Sequence, residues 1–110
     1  MKRLVTCVVL VACSSPVPST STDGPALFAA YCAQCHGPTG QPSAQMIARL
    51  NVKDLTSPAL RPKLTPAFVE AQIRNGSQNG LMPPFATQIH EAQITAIAAW
   101  VASPRFVAPK

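Results

Sequence analysis

Cys32-Ala33-Gln34-Cys35-His36 is the stretch that decides how the rest of this 110-residue chain is read. On a helix, Cys32 and Cys35 stand three residues apart and so share a face. Two thiols placed in this way can each add to one vinyl group of a haem, holding it by two thioether bonds. The imidazole of His36, next in the chain, is then kept against the iron from one side. This is the spacing of c-type haem attachment. A neutral imidazole that ligates a metal needs a hydrogen-bond acceptor on its other ring nitrogen. The carbonyls of Pro38 and Pro42 in the following loop are candidates, and the sequence does not choose between them.

Three other uses of these residues fit less well. A redox-active dithiol of thioredoxin type requires a βαβ setting, and no strand pattern of useful length is present. A zinc site needs four ligands, and only by recruiting His90 could Cys32, Cys35 and His36 make a set. A disulfide between Cys32 and Cys35 would have to bridge one helical turn, which is poor geometry.

A second iron ligand is sought among the methionines. Met82 sits in Asn79-Gly80-Leu81-Met82-Pro83-Pro84-Phe85. Gly80 permits close backbone approach, and the two prolines hold an extended loop that cannot fold into helix. Such a rigid mounting lets a thioether meet a buried metal from the side away from His36. Met46, among Ala44, Ile47 and Ala48, reads instead as a core residue. His/Met ligation raises the reduction potential and fills both axial positions. The chemistry then left to the iron is outer-sphere transfer of one electron.

Around these two segments the pattern is all-α, with long loops. Asp23 is a good N-cap, Pro25 lies in the first turn, and Gly24, Leu27, Phe28, Tyr31 and Cys35 fall on one apolar face that ends at Gly37-Pro38. A second helix opens at Thr65-Pro66, carries Phe68, Val69 and Ile73, and stops at Asn75-Gly76. The third runs from about His90 to Ala102, with Ile94, Ile97, Ala98 and Val101 in helical register and Ser103-Pro104 as its stop. A shorter helix is expected over Ser43–Leu50.

The N-terminus is of another kind. Lys2 and Arg3 precede nine mostly apolar residues, Leu4–Ala12, too few to span a bilayer and suited to the core of a signal peptide. Leu10-Val11-Ala12-Cys13 resembles the lipobox of bacterial lipoproteins, which implies cleavage before Cys13 and a lipid attached to it. Residues 14–22 are polar and proline-containing and read as a flexible tether. The expected organisation is therefore a signal peptide at 1–12, a lipidated cysteine and tether at 13–22, a domain at 23–103 and a C-terminal tail at 104–110. The formal charge of +5 drops to +3 once Lys2 and Arg3 are removed. The remaining basic residues are scattered, which argues against nucleic acid as a partner. With Cys7 in the leader and Cys13 at the lipid site, only Cys32 and Cys35 of the four cysteines belong to the domain.

Taken together, these residues resemble a small class I cytochrome c of bacterial type. Gly24, Phe28, Cys32, Cys35 and His36 match that family's first helix and haem site. Asn75-Gly76 and Gly80 through Phe85 match its helix end and methionine loop. Ile97 and Trp100 stand where its last helix crosses the first beside Gly24, and Asp54-Leu55-Thr56 resembles a segment of the related monohaem branch. Pro42, where a glycine is common, and His90, where a Ser or Thr N-cap is usual, depart from the pattern. The resemblance implies three main helices and a short one wrapped around one covalent haem c, with His36 and Met82 as its axial ligands. Leu27, Phe28, Phe68, Ile73, Leu81, Phe85, Ile97 and Trp100 are the candidates for packing on or around that group. With so small a core, the haem-free chain is expected to be largely unfolded.

The function expected is that of a monomeric one-electron carrier in the bacterial cell envelope, not an enzyme, held to a membrane through Cys13. It would meet redox proteins or respiratory complexes transiently at an exposed haem edge framed by Ala33, Gln34, Gly37 and residues 80–85. Two alternatives are a haem subunit held in a larger oxidoreductase complex and a peroxidatic or gas-binding protein in which Met82 is displaceable.

Overall fold

Side chains standing just ahead of the helices set where they begin. The computed structural model describes residues 17–109. Helix α1 (Gly24–Tyr31) starts where the Asp23 carboxylate accepts the Ala26 N–H at 3.2 Å. Helix α2 (Ala33–His36) follows, and α3 (Ala44–Leu50) starts where Ser43 Oγ accepts the Met46 N–H at 3.2 Å. Helix α4 (Pro66–Asn75) is capped by Thr65 Oγ1 on the Phe68 N–H and ends at Gly76. At the head of α5 (Glu91–Ala102), Gln93 Oε1 accepts the His90 N–H at 3.1 Å. Short 3₁₀ turns cover Arg61–Lys63 and Pro104–Phe106, and no strand occurs among the described residues. The class is all-α, as the helical periodicities implied.

The first helix departs from expectation at one residue. Instead of running unbroken to Gly37, it bends at Cys32, whose φ of −117° lies outside the helical range. Hydrogen bonding continues through the bend, because the Cys32 carbonyl accepts the N–H groups of both Cys35 (3.2 Å) and His36 (2.9 Å). The three main helices and a short one are therefore joined by the four-residue α2, split off from α1.

The core lies where α5 packs on both α1 and α4. Leu27 and Phe28 from α1, Val69 and Ile73 from α4, and Ile94, Ile97, Ala98 and Val101 from α5 are all buried, together with Leu64, Ile89 and Phe106. The crossing of α1 over α5 requires Gly24. A Cβ there would lie 2.7 Å from the Ala96 carbonyl oxygen and 2.8 Å from Trp100 Cβ. Trp100 and Leu27 serve this helix crossing and do not line the cavity described below.

Both edges of the domain lie beyond where the sequence placed them. Phe106, assigned to the tail, is 6% exposed and packs edge-on against Phe28 and Trp100, with ring centroids 5.2 and 5.7 Å apart. The Arg61 guanidinium covers the Phe106 ring at 5.4 Å from its centroid and donates to the carbonyls of Leu55, Val101 and Ser103. It thus ties the end of α5 to the loop before the first 3₁₀ turn. At the other edge, Val17 packs on the core, so the last part of the expected tether belongs to the domain. The expected signal peptide at 1–12 and the lipid site Cys13 lie outside the described residues.

A side chain at position 24 forces α1 and α5 apart. Gly24→Val is expected to lower the stability of the natively purified protein by about 2 kcal/mol. Denaturant unfolding followed by circular dichroism measures this, and an unchanged midpoint would remove the crossing from its central place.

Candidate functional site

A cavity of about 430 Å³ opens between α1–α2, α4 and the two long loops. Phe28 of α1 and Ile97 and Val101 of α5 form its buried wall. Phe68 and Leu81, each 49% exposed, line it as well, so much of the exposure of these two large apolar residues is toward the cavity. Cys32, Cys35, His36 and Met82 all border this same space. The sequence interval of 46 residues between His36 and Met82 is closed by the fold.

The bend at Cys32 does not part the two thiols, which are free and half-buried. Burial, with the neighbouring Cys35 adding to it, pushes the Cys32 thiol up to about 12. A dithiol that exchanges disulfides depends on the opposite shift, toward thiolate. Cys32 is thus held as a neutral thiol among apolar groups, which disfavours the thioredoxin-like use of the pair.

His36 ends α2, with Gly37 as its C-cap. Its Nδ1 lies 3.0 Å from the Lys53 carbonyl oxygen. A carbonyl can only accept, so the proton sits on Nδ1 and Nε2 keeps its lone pair. The acceptor is therefore Lys53, and neither Pro38 nor Pro42 fills that role. The contact crosses 17 residues of chain, which is why adjacency in sequence pointed elsewhere. Burial pushes the imidazole below its ordinary pKa, against the opposing pull of the Lys53 carbonyl, and so favours the neutral, ligating form.

Met82 is fixed through its backbone. Its N–H donates to Ser77 Oγ at 3.0 Å, and its carbonyl accepts the Ser77 N–H at 3.0 Å. Ser77 Oγ in turn donates to Asn79 Oδ1 at 2.6 Å, and that oxygen also accepts the Leu81 N–H at 3.0 Å. Gly76, at φ +72°, lies flat against the same loop, where a Cβ would come 2.5 Å from the Met82 carbonyl oxygen. Phe85 N–H donates to the Ile73 carbonyl at 2.9 Å and ties the far end of the loop to α4. Ser77 and Asn79 were not singled out in the sequence, although Ser and Asn two residues apart beside a glycine are a turn signal.

Met46 is not a core residue. It is half-buried and borders an open depression beside α2, together with Cys35 and Pro42. The alternative zinc set of Cys32, Cys35, His36 and His90 does not form. His90 stands ahead of α5 and does not border the cavity, and no three His, Cys, Asp or Glu groups come together to hold a metal ion among the described residues.

Two thiols, a neutral imidazole and a thioether around one largely apolar cavity form a donor set that suits a covalently held haem. The comparisons agree with this chemistry. Residues 19–101 match the family described as cytochrome c oxidase, cbb3-type, subunit III. The chain belongs to that cytochrome c family. Among solved structures it is similar to the KustC0563 c-type cytochrome, at 24% identity and a TM-score of 0.64, over 73% of this chain and 94% of that one. A tyrosine-to-phenylalanine mutant of the same protein matches at 25% identity and a TM-score of 0.63, over 73% and 95% of the two chains. No curated protein is matched. Membership of this cytochrome c family implies covalently bound haem c and haem-based electron transfer, and the CxxCH-type motif needed for attachment is present at 32–36.

The Ser77 hydroxyl is expected to hold the cytochrome's methionine loop in place. Ser77→Ala removes the acceptor for the Met82 N–H and is expected to cost about 1 kcal/mol. Amide hydrogen exchange at Leu81 and Met82 then speeds up severalfold, while Ser77→Thr restores it. Equal protection in the alanine variant would show the loop to be held by its prolines alone.

Proposed function

We propose that this cytochrome is a one-electron carrier of the bacterial cell envelope, with one haem c attached through Cys32 and Cys35 and ligated by His36 and Met82. The observation that carries the reading is the convergence of these four side chains, from two distant segments, on one apolar cavity. When bound, the haem supplies a single iron that cycles between its ferrous and ferric forms. The protein holds the ligands still on both sides of that exchange. Lys53 fixes the His36 tautomer and ring orientation, which keeps Nε2 unprotonated. The Ser77–Asn79 hydrogen bonds and the packing on Gly76 hold the Met82 backbone, so the thioether need not be reordered when the charge on the iron changes. Phe28, Ile73, Ile97 and Val101 exclude water from the buried side and lower the local dielectric. His36 and Met82, if both hold the iron, would leave substrate and dioxygen no place on it, which fits a carrier and not an enzyme.

The exposed rim fits transient contact with redox proteins. Leu81 and Pro83 are exposed apolar residues lining the opening, and Lys53 is the one exposed cation among the described residues that line it. With Lys53 as the single cation there, partner docking is mainly apolar, with little electrostatic steering. The leader at 1–12 and Cys13 support an exported, lipid-anchored protein, and no described helix is long and apolar enough to cross a membrane.

A low-spin visible spectrum is expected in both oxidation states, unchanged by carbon monoxide in the native protein and shifted by it in Met82→Ala. Carbon monoxide binding by the native reduced protein would show an open coordination position and turn the reading toward gas binding or peroxidatic chemistry.

A second reading is favoured by the family description itself, which names an oxidase subunit. Here the same haem domain stays bound in a larger oxidoreductase complex. Purification from membranes in mild detergent separates the two. A carrier is expected to elute alone, whereas a subunit elutes with stoichiometric partner chains.

A further inference from the structure

Gln93 is the buried polar side chain in the core of the described residues, at 3% exposed, and electron transfer makes no use of it. Its amide is fully employed elsewhere. Oε1 accepts the His90 N–H at the head of α5. Nε2 donates to the carbonyls of Ser21 (3.2 Å) and Pro18 (3.4 Å), 72 and 75 residues away in sequence. Around this contact the segment has local structure of its own. Ser21 N–H donates to the Pro18 carbonyl at 2.9 Å, Asp23 N–H to Ser21 Oγ at 3.2 Å, and Val17 packs on the core. A stretch that reads as flexible linker in sequence is thus pinned by one side chain in the first turn of α5.

We propose that Gln93 is a latch that makes residues 17–22 part of the domain, so that the domain lies directly against the lipid surface to which Cys13 anchors it. The membrane half of this inference rests on the reading of Cys13 as the lipid site. If 14–22 were free, the chain from Cys13 to Asp23 would reach about 35 Å when extended. With the segment latched at Val17, the reach falls to about 14 Å, less than the width of the domain itself. The partner surface is then a bilayer face, and the end of the molecule turned toward it is the one where residues 17–21 meet the head of α5. The orientation of the haem opening relative to the membrane is fixed in consequence, and the carrier cannot swing freely over its partners.

Gln93→Glu tests the latch without disturbing the helix. The glutamate keeps an oxygen for the His90 N–H and suits the first turn of a helix, but it loses the N–H donors to Pro18 and Ser21. The full-length holoprotein is reconstituted in phosphatidylcholine vesicles and digested with proteinase K, with intact mass reporting cleavage between residues 14 and 22. Cleavage is expected to be about tenfold faster in Gln93→Glu than in the native protein, while the helical circular dichroism of the domain is kept at the digestion temperature. Equal cleavage rates overturn the latch. Neutron reflectometry on a supported bilayer is expected to show the native protein layer abutting the headgroups and the variant layer set back by a hydrated gap. A gap in the native protein overturns the close seating. The mass of the mature N-terminus decides separately whether Cys13 carries lipid; an unmodified Cys13 removes the membrane half and leaves the latch to the cleavage ratio.

Discussion

An apolar cavity of about 430 Å³ at the centre of so small a domain is the constraint on which the rest of the structure depends. Enclosed and left unfilled, such a volume would cost about 10 kcal/mol, as much as the whole stability of a typical domain. The chain's own side chains do not close it. Phe68 and Leu81 stand at its walls with half their surface accessible, while the well-packed cluster of Leu27, Ile94 and Ala98 lies to one side. The architecture is therefore a packed crossing that carries one half of a core and relies on a bound planar group for the other. Gly24 belongs to the first half, because it lets α1 approach α5 closely enough to seal it. The motif at 32–36 belongs to the second.

The two segments that carry His36 and Met82 are mounted by opposite means. His36 ends a helix, where the backbone is regular, and needs only one hydrogen bond, to Lys53, to fix its ring. Met82 lies in a loop with no regular structure, and several interactions replace the missing helix: the paired bonds with Ser77, the Asn79 turn and the contact with Gly76. A flexible thioether side chain has little orientational preference of its own. Its precision has to come from the backbone, which explains why the polar residues of this loop bond to main-chain atoms and to each other.

What was legible in the sequence follows from how local the cause was. Caps at Asp23, Ser43 and Thr65 and stops at Gly37 and Gly76 act within a turn of the chain, and the helical stretches they delimit lie where their patterns put them, apart from the break at Cys32. The thiol and imidazole spacing is equally local. The misplaced features all depend on contacts across the fold. Lys53 reaches His36 over 17 residues, Arg61 reaches Val101 and Ser103 over 40 and 42, and Gln93 reaches Ser21 over 72. Phe106 looked like tail because nothing near it in sequence shows that Phe28, Trp100 and Arg61 converge on its ring. Met46 erred in the other direction. Its helical neighbours suggest a core face, but α3 buries none of its residues.

The long-range contacts share a chemical feature that bears on how the domain holds together. Arg61 and Gln93, and His36 through its ring, all donate from a side chain to main-chain carbonyls in loops or at helix ends. A buried carbonyl without a partner is costly, and a domain with long loops has many of them. Helix interiors satisfy their own backbone, whereas the loops at 18–21 and 51–60 and the C-terminal end of α5 cannot. Three side chains with multiple or well-directed donors meet that need, and in doing so they join the loops to the helices that carry the site. The same bonds that satisfy stray carbonyls therefore set the cavity wall at Lys53 and Leu55, the end of α5 and the path of residues 18–21. A substitution at any of the three would loosen a loop before it disturbed a helix, so its effect would be felt at the site and at residues 18–21 sooner than in the helical core.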